Sequence, residues 1–271
     1  MAAKLGIIAG GGDLPRQLIE RCRADGRPFA VAGLKGFARE DLIGADVGVW
    51  ARLGEPGKIL GFFRNEKVEE IVMIGPVRRP SLFQLRPDAT ALKFLMKIGF
   101  QAFGDDNLLT MVIGLIEKEG FRVVGIHDIM GDILAEEGAF GKHKPDEQAM
   151  KDIEHGVRIA RGLGALDVGQ SVVVQQGIVL GVEAVEGTDA LIKRCGDLKR
   201  DGTGGVLVKT RKPEQESRVD LPTIGVSTVE NAAAAGLRGI AVHAGNTLIV
   251  DRKAVVEAAD RLGLFVYGVK I

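Results

Sequence analysis

Apolar and polar positions along the chain keep switching between two periods. Short apolar runs from Leu5 to Ala9, Phe29 to Leu34, Val47 to Trp50 and Glu70 to Ile74 read as buried strands. Between them lie helix-like stretches. Asp13 stands as an N-cap with Pro15 in the first helical turn, and the turn at Asp25-Gly26 returns the chain to the second strand. A helix over Gly57 to Glu66, an apolar helix over Asn107 to Glu119 and a strand over Val123 to Ile126 continue the alternation. This pattern predicts an α/β fold whose N-terminal domain is Rossmann-like with a parallel, doubly wound sheet.

Between Glu136 and Glu147 the sequence EEGAFGKHKPDE turns polar and reads as a connection. It divides the chain into an N-terminal domain (1–134), a linker (135–146) and a C-terminal domain (147–271). The second domain is predicted to be α/β as well. It opens with a helix over Glu147 to Leu163 and a β-rich stretch over Ser171 to Val185 broken by Gly177 and Gly181. A helix over Thr188 to Lys199, capped by Thr188, follows. Strands at Val206 to Lys209 and Thr223 to Ile224 precede a hairpin over Ile240 to Val250 that turns at Ala244-Gly245-Asn246. The pattern leaves the strand order of this domain open.

Composition sharpens the picture in three ways. At 271 residues, 46% hydrophobic, the chain is long for one domain, which agrees with the two just drawn. The 36 basic and 36 acidic residues cancel, so there is no overall electrostatic reason to expect tight, non-specific nucleic-acid binding, no nucleic-acid partner is expected, and any anion must be held locally. Cys22 and Cys195 are too few for a disulfide framework and suit a reduced, cytoplasmic setting. The N-terminus enters its first strand without the pattern of a signal peptide, and no apolar run is long enough to span a bilayer. Work on lipid would be done from the surface.

Several stretches carry candidate chemistry. Ile7-Ile8-Ala9-Gly10-Gly11-Gly12-Asp13-Leu14-Pro15 follows a strand and opens a helix, where free N–H groups favour an anion. A dinucleotide fingerprint needs a third glycine where Pro15 stands, and an acid where the second strand ends in Ala32-Gly33-Leu34-Lys35. Gly75-Pro76-Val77-Arg78-Arg79-Pro80 follows another strand with two arginines in a stiffened loop. Gly104-Asp105-Asp106-Asn107 offers adjacent carboxylates that could cap a helix or hold Mg²⁺. His127 in Gly125-Ile126-His127-Asp128 lies at the same predicted sheet edge. Downstream, Glu183 to Asp189 (EAVEGTD) ends a strand with carboxylates and Thr188, while Lys209 and Arg218-Val219-Asp220-Leu221-Pro222-Thr223 add a base and an acid. Phosphate-loop, zinc-helix and nucleophile-elbow signatures are missing.

Taken in order, IAGGGDLP, GPVRRPSL, GDDNLL, GIHDI, GIVLGVEAVEGTDALI, GGVLVK and RVDLPTIG resemble the LpxI family of UDP-2,3-diacylglucosamine pyrophosphatases over nearly the whole chain. The resemblance implies a Gram-negative enzyme of lipid A synthesis, cytoplasmic and peripheral to the inner membrane. It implies hydrolysis of UDP-2,3-diacylglucosamine to UMP and 2,3-diacylglucosamine 1-phosphate (lipid X) with Mg²⁺, water attacking the sugar-linked phosphorus. Substrate would bind in the cleft between the two domains. The aspartate of the family's RVDLP motif is essential to catalysis, and here it is Asp220. Around it we place Gly11, Gly12, Gly75, Pro76, Arg79, Asp105, His127, Thr188 and Lys209 on the substrate, and Asp220, Asp189 and Asp106 on the metal. Phe62, Phe63, Leu82, Phe83, Phe94, Leu95, Phe100 and Phe103 are expected to be an apolar surplus for acyl chains, against simply packing the sheet. The partners expected are the lipid-linked nucleotide sugar, the inner-membrane surface and a second copy of the chain in a homodimer. An NADP-dependent reductase using Lys35, or a lipid or nucleotide carrier without chemistry, would use the same features differently.

Overall fold

A computed structural model describes residues 2–77, 88–91, 105–213 and 215–271. They form two compact units, Met1–Gly131 and Asp132–Ile271. In the first, strands β1 (Leu5–Ala9), β2 (Phe29–Leu34), β3 (Gly48–Ala51), β4 (Glu70–Ile74) and β5 (Arg122–Val123) make an all-parallel sheet in the order β3-β2-β1-β4-β5. Helices α1 (Leu14–Ala24), α2 (Pro56–Asn65) and α3 (Asp105–Lys118) lie between strands in sequence. Leu5, Ile7, Val31 and Ile71 on the strands are wholly buried, as strands covered on both faces require, and Phe63 of α2 is buried with them. The strand order reverses between β1 and β4, so the loops leaving these two strands flank the crevice where α/β sheets take ligands.

Three local expectations change in this unit. Asp13 precedes α1 but makes no capping bond; its carboxylate turns to Arg39, 3.4 Å away. The predicted strand Val123 to Ile126 stops at Val123. The Asp128 carboxylate takes the Gly125 N–H at 2.9 Å and winds α4 (Ile126–Ile129), so His127 sits on a helical turn. Phe63 is core, not surplus, at 0% exposure. Leu82, Phe83, Phe94, Leu95, Phe100 and Phe103 lie outside the described residues.

The second unit is built on a six-stranded sheet. Its strands are β6 (Gly138–Ala139), β7 (Ser171–Gln175), β8 (Ile178–Val182), β9 (Val206–Lys209), β11 (Gly239–His243) and β13 (Phe265–Val269). The order is β6-β13-β11-β9-β7-β8, with β9, β11 and β13 parallel and β7 antiparallel to β9. Helix α5 (Glu147–Ala165) covers one face, packing Ala149, Ile153 and Ala160 on Val172, Val174, Val206, Val208 and Ala241. Helices α6 (Thr188–Asp197), α7 (Val226–Ala234) and α8 (Arg252–Leu262) cover the other, against Val173, Leu207, Ile240, Val242 and Val266. The period-two alternation of each strand decides which face each residue serves.

The hairpin expected over Ile240 to Val250 does not form. β11 is taken on both sides by β9 and β13, and Leu248–Ile249 (β12) pairs in parallel with Thr223–Ile224 (β10) as a separate two-stranded ribbon. A real hairpin joins β7 to β8 through Gln176 and Gly177, at φ 51° and 79°, the left-handed pair that a tight turn of matching twist requires. Buried Asp152 of α5 clamps this turn, accepting the Gln176 N–H at 2.9 Å and the Gly177 N–H at 2.7 Å. Within the stretch 135–146, Gly138 and Ala139 pair antiparallel with Gly268 and Tyr267 at the edge of this sheet.

Candidate active site

Strand β9 reads Val206-Leu207-Val208-Lys209. Leu207 packs into the layer of α6, α7 and α8, and Lys209, two residues on, follows it onto that face. There the lysine is 8% exposed. Its Nζ donates to Thr188 Oγ1 at 3.0 Å and to the Thr223 carbonyl at 3.1 Å. An ammonium has three donors, so one is left over. Burial pulls the lysine below its ordinary pKa, while the carboxylates of Glu183, Asp189 and Asp220 pull the other way.

Thr188 does not cap its helix as the sequence suggests. Gly187 occupies the cap position, and the Thr188 hydroxyl instead donates to Glu183 Oε1 at 2.7 Å while accepting from Lys209. Glu183, 7% exposed at the end of β8, also accepts the Gln170 N–H at 3.2 Å, so both its oxygens are engaged. Because β7 runs against β9, its first residue reaches the same edge, and Ser171 Oγ lies 3.4 Å from Thr188 Oγ1.

Asp220 reaches this edge from the loop between β9 and β10. Its Oδ2 accepts from Gln215 Nε2 at 2.7 Å. Asp189, in the first turn of α6, accepts from Asn231 Nδ2 at 3.0 Å on Oδ1. Among the described residues the other oxygen of each carboxylate has no partner. Arg211 donates to Asn246 Oδ1 at 3.0 Å and to the Gln215 carbonyl at 2.8 Å, and Asn246 Nδ2 lies 3.2 Å from His243 Nε2. Burial keeps the His243 imidazole below its ordinary pKa, and Arg161 and Arg211 push the same way.

The first unit holds the other candidates at the carboxyl edge of its sheet. The Gly10 N–H donates to the Ile74 carbonyl at 2.8 Å and the Gly11 N–H to the Pro76 carbonyl at 3.0 Å. A Cβ on Gly10 would lie 2.6 Å from the Gly75 oxygen, and one on Gly75, at φ +91°, would strike the Gly11 oxygen. Glycine is required here because two main chains touch. Gly12, at φ +75°, turns the chain into α1. His127 follows β5 on α4, its Nε2 3.8 Å from Asp128 Oδ1. Asp105 and Asp106 begin α3. Arg79 lies outside the described residues.

Thr188, Asp189, Lys209 and Asp220 are thus gathered at one edge of the second sheet, and Gly11, Gly12, Gly75, Pro76 and His127 at the corresponding edge of the first. Gln170, Gln215, Arg211 and Asn246 were missed. Gln215 sits in the polar run Lys212-Pro213-Glu214-Gln215-Glu216, which carries no period to mark one residue as inward. Lys209 had a signal, a lysine closing an apolar strand. Among the described residues no three His, Cys, Asp or Glu side chains converge to hold a metal. Two carboxylates with an oxygen each to spare still fit Mg²⁺, which takes one or two carboxylates and fills its shell with water and phosphate oxygens.

Comparison with known proteins agrees over both units. Residues 4–133 match the LpxI N-terminal domain and residues 136–267 the LpxI C-terminal domain. The chain is 49% identical over 276 residues to UDP-2,3-diacylglucosamine pyrophosphatase LpxI of Caulobacter vibrioides, an alignment covering 98% of this chain and 97% of that one.

Proposed function

The chain belongs to the LpxI family, and from that premise we propose that it hydrolyses the pyrophosphate of UDP-2,3-diacylglucosamine to UMP and 2,3-diacylglucosamine 1-phosphate, the lipid X of lipid A synthesis. Water adds to the sugar-linked phosphorus, the bridging P–O bond breaks, and UMP leaves with the bonding pair. The observation that carries this reading is the Lys209 ammonium, buried at a strand edge with one donor to spare and Asp220 beside it.

A fixed cation of this kind offsets charge that builds on phosphate oxygens, and it does so more strongly away from bulk water. Glu183 and Thr188 hold the lysine in place, which spares the substrate the cost of ordering it. Asp220 Oδ1 accepts a hydrogen bond from the attacking water and orients it. Asp220 and Asp189 would hold Mg²⁺, which when bound would supply positive charge to the pyrophosphate oxygens. Among the described residues no helix is long and apolar enough to cross a membrane; in the proposed reading the protein meets its lipid substrate at the inner-membrane surface.

The test is UMP release from UDP-2,3-diacylglucosamine and Mg²⁺ by the purified protein. Asp220→Ala lowers kcat by about 10²–10⁴, the worth of a positioned acid or base. Release of no UMP at any Mg²⁺ concentration overturns the proposal. In ¹⁸O water the label enters lipid X; label in UMP would overturn the assigned site of attack. Substrate binding without UMP release would leave a carrier.

A further inference from the structure

We propose that Gln215 is the positioning residue for Asp220, its buried amide holding Oδ2 so that Oδ1 is presented to the reacting water. The inference rests on the hydrolase reading, in which Asp220 is catalytic. Gln215 is 2% exposed in a polar loop. Its amide is satisfied on both sides in only one orientation: Oε1 accepts the Lys212 N–H at 3.2 Å, which leaves Nε2 to donate to Asp220 at 2.7 Å. Flipping the amide would set an oxygen against a carboxylate oxygen and a donor against a donor. The backbone under it is anchored separately, because Arg211 Nη2 holds the Gln215 carbonyl at 2.8 Å and Arg211 Nη1 holds Asn246 Oδ1 beyond the end of β11. The Asp220 N–H closes the loop onto the Glu216 carbonyl at 3.0 Å. Among the described residues Gln215 is the only side chain bonded to the Asp220 carboxylate. An aspartate on an irregular loop with no other tether would sample several rotamers. One charge-assisted bond from a buried, doubly fixed amide removes that freedom.

Two variants separate this role from a structural one. Gln215→Met keeps the volume and removes the donor; Gln215→Glu keeps an Oε1 acceptor for Lys212 and sets a second carboxylate against Asp220 where the donor was. Substitution of the side chain leaves the Arg211 bond to the backbone in place. Each variant is expected to lower kcat about tenfold to a hundredfold, the equivalent of one charge-assisted hydrogen bond, with KM for UDP-2,3-diacylglucosamine within about threefold of wild type. Introduced into Asp220→Asn, either one should cost nothing further, since the group it positions is gone. Wild-type kcat in both variants, or losses that multiply with Asp220→Asn, overturn the inference while leaving Asp220 in its role. Wild-type kcat in Asp220→Asn alone takes Asp220 out of the catalytic step and overturns the inference with it, whereas failure of the wild-type protein to release UMP overturns the hydrolytic reading itself.

Discussion

Replacing Lys209 by methionine should separate what the lysine does for the fold from what it does for the substrate. Methionine keeps the length of the stem and deletes the ammonium, leaving Thr188 Oγ1 and the Thr223 carbonyl without their donor and the buried Glu183 without its counter-charge. Removing one member of a buried charged pair costs about 3–5 kcal/mol. Burial already disfavours this ammonium, so its loss also relieves a desolvation penalty, and a net cost of about 2–3 kcal/mol is expected for Lys209→Met. Glu183→Gln should cost a similar amount from the other side. The double variant then has neither charge buried, and urea denaturation should find it at least about 1 kcal/mol less destabilised than the sum of the singles. Activity should not follow stability. Both variants lacking Lys209 should lose about tenfold to a hundredfold in kcat/KM, one charge-assisted contact to phosphate, and the double should stay low. Strictly additive destabilisation would refute the pairing of Lys209 with Glu183. Recovery of UMP release in the double would refute the contact between Lys209 and substrate.

Two further predictions concern groups beside the site or remote from it. Asp152→Ala strips the acceptors from the Gln176 and Gly177 N–H groups and should cost about 3 kcal/mol in urea denaturation, with kcat unchanged at low temperature because this turn lies at the far edge of the sheet. His243 binds its proton less readily when folded than when unfolded, so the unfolded chain takes up more protons below the ordinary value of 6.5. Its contribution is complete above that value and is lost as pH falls, so the urea midpoint should drop less for His243→Gln than for wild type between about pH 7 and about pH 5.5.

Legibility differed by element for physical reasons. Strands Glu70–Ile74, Val206–Lys209 and Thr223–Ile224 lie where periodicity puts them, because Gly, Pro and polar residues bound each apolar run. The loop Ala244-Gly245-Asn246 looks like a hairpin turn locally, and Gly245 does take φ +70°. What it joins is decided elsewhere: β9 and β13 compete for both edges of β11, and no local signal records that. Thr188 is a good cap by residue type, yet a buried lysine and glutamate outbid the helix terminus for its hydroxyl. Asp220, Thr188 and Lys209 could be named from their motifs. Gln215, Arg211 and Asn246 could not, since their roles exist only once residues far apart in sequence share one sheet edge.

The contact between Gly10 and Gly75 has a consequence for anyone reading variation in such chains. When two side chains meet, one can shrink as the other grows, and paired substitutions betray the neighbourhood. Here backbone meets backbone, with Gly75 held at φ +91° and the Gly10 and Gly11 N–H groups bonded to the Ile74 and Pro76 carbonyls. Nothing on either partner can be trimmed, so no second change repairs the first. Each position is then constrained singly, and methods that look for coordinated substitution will be blind to the contact that joins the two loops at the switch point of the first sheet.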